Sequence, residues 1–277
     1  MTIAYFPGCS AASTGREFAE STEALCEALG LALVEIPDWN CCGATSAGVL
    51  SPHMSAALNS RNLKQAAALD APILAPCAAC YNRLKTAQLE LREKPALAAE
   101  YEVPAKALNT RIMNLPEMLL EYPGLERLAE MVKVDLSYLH PGAYYGCLML
   151  RPPKAVQFDD AEQPTSMERI LTAVGLHPVD WCARTECCGA SLASTRPGYV
   201  TNQVGKIVSC AKRSEANCLV AACPLCVLNL ESRQAEPEPL PVFYLSEIVA
   251  AAIGVAPEKL GTQRHLLSKA LVGAKGH

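Results

Sequence analysis

The chain has 277 residues, enough for two domains, and 51% of them are hydrophobic, as in an ordinary globular protein. Twenty-four Lys and Arg against 28 Asp and Glu leave a net charge of −4 with both signs interspersed, which argues against a nucleic-acid surface. The longest apolar runs, such as 248–253, fall far short of the ~20 residues of a membrane span, so no direct membrane insertion is expected.

Ile3 to Phe6 reads as a short buried strand ended by Pro7-Gly8, with Cys9 at its C-terminal end. A helix is expected over 16–29, with Phe18, Thr22, Leu25, Cys26 and Leu29 at helical spacing and Gly30 as its cap. Residues 31–36 read as the second strand, stopped by Pro37. Cys41-Cys42-Gly43 follows as a loop. A glycine free to take positive φ lets two successive thiolates turn toward one centre, whereas a strand would send them to opposite faces. Pro52 opens a long helix to Leu69, and 71–75 reads as the third strand. Pro76-Cys77-Ala78-Ala79-Cys80 starts the next helix, with two thiols at i and i+3 on one face and a dipole that favours thiolate. Three strand ends thus bring thiols to one edge, the usual ligand position in an open α/β sheet. Residues 81–132 read as mostly helical (82–93, 97–108, 116–121, 125–132), and the boundary between halves falls near 130–140.

A second copy follows. Ala143-Tyr144-Tyr145-Gly146-Cys147 answers Ala4-Tyr5-Phe6-Pro7-Gly8-Cys9. After an excursion over 148–164 come a helix at 166–174, a strand at 176–181 and the loop Cys187-Cys188-Gly189-Ala190. Then come a helix at 198–216, a buried strand at 219–222, and Cys223-Pro224-Leu225-Cys226 opening another helix. Even the sequel repeats, Asn114 to Leu119 against Tyr244 to Val249, and a peripheral helix is expected after Pro257. The expected fold is α/β, two pseudo-twofold-related copies of a small parallel-sheet domain with flanking helices, divided as 1–135 and 136–277.

Ten of the fourteen cysteines therefore form one five-thiol pattern twice. Cys9 lies 32 positions before Cys41 and Cys147 lies 40 before Cys187. Cys77 lies 35 positions after Cys42, as Cys223 does after Cys188. Three chemistries suit such thiols. Disulfides need an oxidising compartment, and the N-terminus shows neither the basic nor the apolar region of a secretory leader. A cytoplasmic setting is expected instead. Zinc takes four ligands, which leaves one thiol over in each half. An iron–sulfur cluster is held by thiolates, and a fifth can bridge two irons. The ferredoxin run is absent, which disfavours an ordinary cubane. The repeated spacing favours metal or cluster binding over inert thiols.

This double pattern resembles the duplicated cysteine-rich CCG domain, and a chain of two such domains resembles the family of heterodisulfide reductase B subunits. The resemblance implies that Cys9, Cys41, Cys42, Cys77 and Cys80 hold one noncubane [4Fe-4S] cluster. It assigns a second to Cys147, Cys187, Cys188, Cys223 and Cys226. It implies cleavage or formation of a disulfide at the clusters, with no catalytic side chains beyond their ligands. The implied partners are a ferredoxin-like C subunit and a flavoprotein A subunit. The implied substrate is the heterodisulfide of coenzymes M and B, or, as in related complexes of sulfur-oxidising bacteria, sulfane or lipoate-bound sulfur. Two alternatives stand: an electron-transfer iron–sulfur subunit of a lactate or glycolate oxidase-type complex, and a zinc-binding scaffold.

The remaining candidates read as structure. Cys26, Cys210 and Cys218 suit core thiols, and Cys182, five positions before Cys187, a structural thiol within reach of the second site. Arg151, Lys154 and Arg184 flank the second set and read as solvated loop charges that could attract an anionic disulfide. His140 reads as an ordinary hydrogen-bonded histidine, and Gly43 and Gly189 as backbone requirements of the two loops.

Overall fold

The computed structural model describes residues 1–44, 46–235 and 237–267. The first half runs β1 (Thr2–Tyr5), α1 (Arg16–Ala28), β2 (Ala32–Glu35), α2 (Ala47–Leu50), α3 (Pro52–Ala67), β3 (Ile73–Leu74) and α4 (Ala78–Glu93). It continues with α5 (Pro95–Glu100), α6 (Ala105–Asn109), β4 (Ile112–Met113), α7 (Leu115–Glu121) and α8 (Leu125–Glu130). The second half runs β5 (Pro141–Tyr144), α9 (Pro153–Val156), α10 (Ser166–Ala173), α11 (Pro197–Arg213), β6 (Cys218–Ala221), α12 (Pro224–Ser232), β7 (Val242–Tyr244) and α13 (Leu245–Ala252).

The strands form two sheets, in order β2-β1-β3-β4 and β5-β6-β7, and every pair is parallel. Parallel pairing needs a crossover between neighbours, and helices supply it. The central strands are continuous apolar runs because both faces are covered: Ile73, Leu74 and all of Cys218–Ala221 are buried. The expected α/β duplication is therefore present.

Four local expectations need correction. Residues 176–181 form no strand. Pro178 has no N–H to give to a ladder, and the segment runs beside β5 with a bond from Val179 N to Pro141 O (3.0 Å). The second sheet therefore has three strands. Second, β4 and β7 add strands where the sequence showed only the lead-in to a helix; two or three residues give too short an apolar run to read. Third, the expected helix over 97–108 is two, α5 and α6, parted at Tyr101 to Pro104, where Glu102 takes positive φ. Fourth, the chain after Pro257 makes two 3-10 turns, Pro257–Lys259 and Thr262–Arg264, rather than a helix, and the rest of that expectation lies outside the described residues.

The halves are joined through exchanged helices. α1 of the first half packs on α13 of the second, and α10 of the second packs on α7 and α8 of the first. Phe18 stacks on Tyr244 with ring centroids 4.5 Å apart, the Ser21 and Ser246 hydroxyls lie 2.7 Å apart, and Tyr244 donates to Glu17 at 3.2 Å. On the other side Tyr81 donates to Val156 O (3.2 Å) and Asn82 to Leu148 O (2.9 Å). The repeated sequel has a structural job: Glu117 accepts from Asn114 N (3.1 Å) and Glu247 from Tyr244 N (2.8 Å), which satisfies the same orphan donor at the start of α7 and α13.

Candidate metal centre

The cysteines lie where parallel strands end. Cys9 follows β1 and Cys147 follows β5; Cys77 is the N-cap of α4 and Cys223 that of α12, which puts Cys80 and Cys226 in the first helical turn. The backbone before each lone cysteine must be glycine. Gly8 takes φ 73° and Gly146 φ 64°. A Cβ on Gly8 would lie 2.8 Å from Cys80 Sγ, and one on Gly146 3.3 Å from Cys226 Sγ. The Cys-Cys-Gly loops behave as expected: Gly43 and Gly189 take positive φ and donate their N–H to Cys41 Sγ (3.5 Å) and Cys187 Sγ (3.4 Å).

The ten thiols form one group in each half, and the two groups approach each other at Cys77 and Cys223. Cys9 and Cys41 sulfurs lie 3.5 Å apart, Cys42 and Cys80 3.4 Å, Cys147 and Cys187 3.5 Å, and Cys188 and Cys226 3.6 Å. Cys77 and Cys223 lie close enough across the seam between the halves for each to shift the other's acidity, and each is shifted as well by the second thiol of its own helix turn. Cys42, Cys80, Cys77, Cys223, Cys226 and Cys188 thus make one string of sulfurs. Within that string and at the outer pairs, one thiol of a close pair gives up its proton more easily because the sulfur beside it stabilises the thiolate. Cys80 brings Cys42 down to about 7, Cys147 brings Cys187 down to about 6, and Cys226 with Cys77 holds Cys223 well below the usual thiol range. The neighbours are pushed the other way: Cys77, Cys80, Cys147 and Cys226 are raised by the sulfurs beside them and by burial. Burial also pushes Cys9 up to about 11.

A narrow cavity opens on the sulfurs of the second half, Cys147, Cys187, Cys188, Cys223 and Cys226. Ala78 and Ala79 of the first half face Cys187, Cys188, Cys223 and Tyr145 of the second across it, and Ala44 and Ala190, which follow the two Cys-Cys-Gly turns, share its wall. Larger open clefts, such as the one between Asp70, Lys106 and Glu121, carry no thiol. Among the described residues, no three Cys, His, Asp or Glu side chains form a single-ion site. The sulfurs meet in pairs, the glycines leave each pair room, and backbone N–H groups point at sulfur. This donor set fits a sulfur-bound polynuclear group.

The other candidates lie outside it. Cys26 and Cys218 are core thiols, pushed up to about 12 by burial. His140 sits at the opposite end of β5 from Cys147, beside His177. Arg151 is engaged with Thr185 O, Ala161 O and Glu162, Lys154 with Glu93, and Arg184 with Glu168 and Asp180. Cys182 and Cys210, read separately as structural and packing thiols, form a disulfide; a loop and a helix 28 residues apart gave no sign of it in the spacing. Two kinds of residue were missed. Tyr145 lines the cavity with its hydroxyl donating to Glu168 and accepting from Met167 N (2.7 Å), and its signal was an aromatic two positions before a ligand-type cysteine. Asn59 and Asn229, both buried, donate to the carbonyls of Cys42 (3.1 Å) and Cys188 (3.2 Å), and a buried Asn inside an apolar helix face was the available signal.

Residues 3–85 and 142–231 each match the model of the CCG cysteine-rich domain, and each span encloses one five-thiol set. The chain belongs to the CCG cysteine-rich domain family. It is 32% identical, over 98% of its length and 99% of the relative's, to the 8-methylmenaquinol:fumarate reductase membrane anchor subunit of Wolinella succinogenes. It is 26% identical to the B subunit of the ferredoxin:CoB-CoM heterodisulfide reductase of Methanosarcina mazei, over 95% of this chain and 93% of that one. It is 25% identical to the B subunit of the ferredoxin/F(420)H(2)-dependent CoB-CoM heterodisulfide reductase of Methanosarcina acetivorans, over 96% and 93%. The resemblance to heterodisulfide reductase B subunits thus extends along nearly the whole chain. A solved hypothetical protein from Helicobacter pylori shares the fold, with a TM-score of 0.77 at 14% identity over 98% of this CCG chain, which spans about half (53%) of that one.

Proposed function

We propose that this chain is the iron–sulfur catalytic subunit of a heterodisulfide reductase-like complex, an oxidoreductase that cleaves or forms a disulfide or sulfane-sulfur bond. The observation that carries the reading is the presence of two complete five-thiol sets that approach each other through Cys77 and Cys223, the second of them lining a cavity walled on its other side by Ala78 and Ala79 of the first half. In this reading Cys9, Cys41, Cys42, Cys77 and Cys80 of residues 1–135 hold one noncubane [4Fe-4S] cluster. Cys147, Cys187, Cys188, Cys223 and Cys226 of residues 136–277 hold the other. Bound there, the two clusters supply the two electrons that breaking an S–S bond consumes. The chain's own part is placement. Gly43 and Gly189 N–H groups orient sulfurs, Asn59 and Asn229 fix the loops that carry them, and Ala78, Ala79 and Leu148 give the substrate slot an apolar, water-poor wall. Tyr145, buried against Glu168, sets the position of the strand end before Cys147. Electrons arrive from a ferredoxin-like C subunit and a flavoprotein A subunit in the cytoplasm. Among the described residues no helix is long and apolar enough to cross a membrane, so membrane attachment would come through a partner.

A second reading makes the chain an electron conduit, as in lactate or glycolate oxidase-type complexes. The relative named for menaquinol:fumarate reduction favours it, at 32% identity against 26% and 25% for the heterodisulfide reductase subunits. Anaerobic purification separates the cases. About four iron and four sulfide per half, with an electron paramagnetic resonance signal that changes on adding a thiol substrate, supports the first. Iron without a thiol-induced change, and a quinol-linked reductase among the co-purified subunits, supports the conduit. Stoichiometric zinc without iron leaves a zinc-binding scaffold.

A further inference from the structure

The two cysteine loops are held to their neighbouring helices by different chemistry. In the first half the segment before Cys41 is tied to α3 without covalent bonds. Arg61 donates to the Asp38 carboxylate and carbonyl and to Asn40 Oδ1, and Asn62 exchanges two bonds with the Asn40 backbone at 2.9 Å each. In the second half the segment before Cys187 is tied to α11, the equivalent helix, by the Cys182–Cys210 disulfide.

What lies between Cys182 and Cys187 is fastened on its other side to the end of β5. Arg184 O accepts from Tyr145 N (2.9 Å) and Gly146 N (3.1 Å), Thr185 O from Arg151 (3.1 Å), and Glu186 O from Tyr144 (2.6 Å). The loop is therefore anchored to the sheet by hydrogen bonds and to α11 by one S–S bond, and Cys187 at its end lines the cavity. The disulfide is asymmetric in access: Cys182 is exposed and Cys210 is 4% exposed. Attack by an external thiolate needs a reachable sulfur, and here only one is reachable.

We propose that Cys182–Cys210 is a thiol-exchange site for an external dithiol, and that its redox state sets how tightly the loop carrying Cys187 is held. Neither sulfur belongs to the ten of the metal centre. The dithiol's thiolate attacks Cys182 Sγ; the S–S bond breaks, and Cys210 leaves as thiolate and takes a proton. The dithiol's second sulfur then attacks the mixed disulfide and releases Cys182. Two electrons pass from the dithiol, which becomes a disulfide, to the pair, which becomes two thiols. A disulfide of the same class reverses the exchange. In a compartment that keeps thiols reduced, an accessible disulfide of this kind is a switch rather than a permanent staple.

The test uses the whole protein, purified anaerobically with its metal, before and after dithiothreitol. Alkylation read by peptide mass spectrometry scores Cys182 and Cys210, with buried Cys26 and Cys218 as internal controls. Hydrogen–deuterium exchange scores the peptide 182–189. Cys182 is expected to resist alkylation until the dithiol is added and then to be labelled, while exchange in 183–188 quickens by about threefold or more. Cys210→Ala should label at Cys182 without dithiol and show the faster exchange from the outset; should that variant fail to fold, Cys182→Ser, at an exposed position, should show the same faster exchange from the outset. Full labelling of Cys182 before reduction would overturn the proposal, as would a bond that yields only on denaturation, or loop exchange that is the same in every state. A sample without iron that shows the expected exchange counts against the cluster reading alone.

Discussion

A single added carbon is the sharpest probe of the candidate metal centre. Gly8 and Gly30 share a positive φ, 73° and 71°, and Gly8 combines it with ψ 164°, a pairing essentially confined to glycine. A Cβ on Gly30 meets nothing within 4 Å, whereas one on Gly8 lies 2.8 Å from Cys80 Sγ. Gly30→Ala should therefore cost only the left-handed backbone penalty of about 1–2 kcal/mol. Gly8→Ala should cost more than that, since its backbone is harder for alanine to adopt, and should also displace the Cys80 sulfur, a proposed ligand. Thermal melts should show both variants destabilised, and iron analysis should show metal lost from Gly8→Ala alone. At the cysteines themselves, Cys42→Ser or Cys188→Ser should abolish metal-dependent turnover and leave the circular dichroism of the fold nearly unchanged; retained turnover would refute the cluster reading. The ten thiols and the two loop glycines were legible in the sequence because the same motifs recur in the same order, with the 35-residue interval from Cys-Cys-Gly to Cys-x-x-Cys kept in both halves. Asn59, Asn229 and Tyr145 were not, because each acts through a neighbour that only the folded chain supplies, a carbonyl or a carboxylate.

Helix-level stability has its own titration. His265 bridges α12 and α13: Nδ1 lies 2.7 Å from Glu231 and Nε2 2.8 Å from Glu247. Both ring nitrogens face carboxylates, so the imidazolium satisfies both. Burial alone pulls the histidine down, but the two glutamates outweigh it and hold it up at about 10. A folded value above the unfolded one of about 6.5 means the clamp contributes fully below that pH. Its contribution fades as pH rises through about 10. Burial also raises Glu247, which likewise loses stability as pH rises, but from the carboxylate range upward, so the alkaline limb is the one diagnostic of His265. The melting temperature should fall between pH 6.5 and 10, and His265→Gln should lose that slope. The order of helices and strands was largely readable from periodicity and from Pro and Gly. The strand expected over 176–181 was lost to Pro178, and β4 and β7 were hidden by their brevity.

For the molecule as a whole, the duplication was visible but the way its copies meet was not. Interval and motif say that there are two halves; they do not say which buried face of α1 seeks which helix. In the structure Phe18, Leu25 and Cys26 of α1 are covered by a fold in which α13 belongs to the other half. Residues 1–135 expressed alone should therefore expose the faces of α1, α7 and α8 that the second half covers, and resist neither protease nor denaturant. Co-expression with 136–277 should restore a one-to-one complex with a cooperative melt. Two halves that each melt cooperatively alone would contradict this.

The swapped helices also bear on origins. A primitive gene encoding one copy would have had no later helix from a sister unit to cover its first, except on another molecule of the same product. Such an ancestor meets its own packing needs only as a symmetric homodimer, with two identical thiol sets facing across the axis. Fusion then made that encounter independent of concentration and freed each side to diverge. On this view the covalent clasp at Cys182 and the polar one at Arg61 are later, separate answers to one inherited problem.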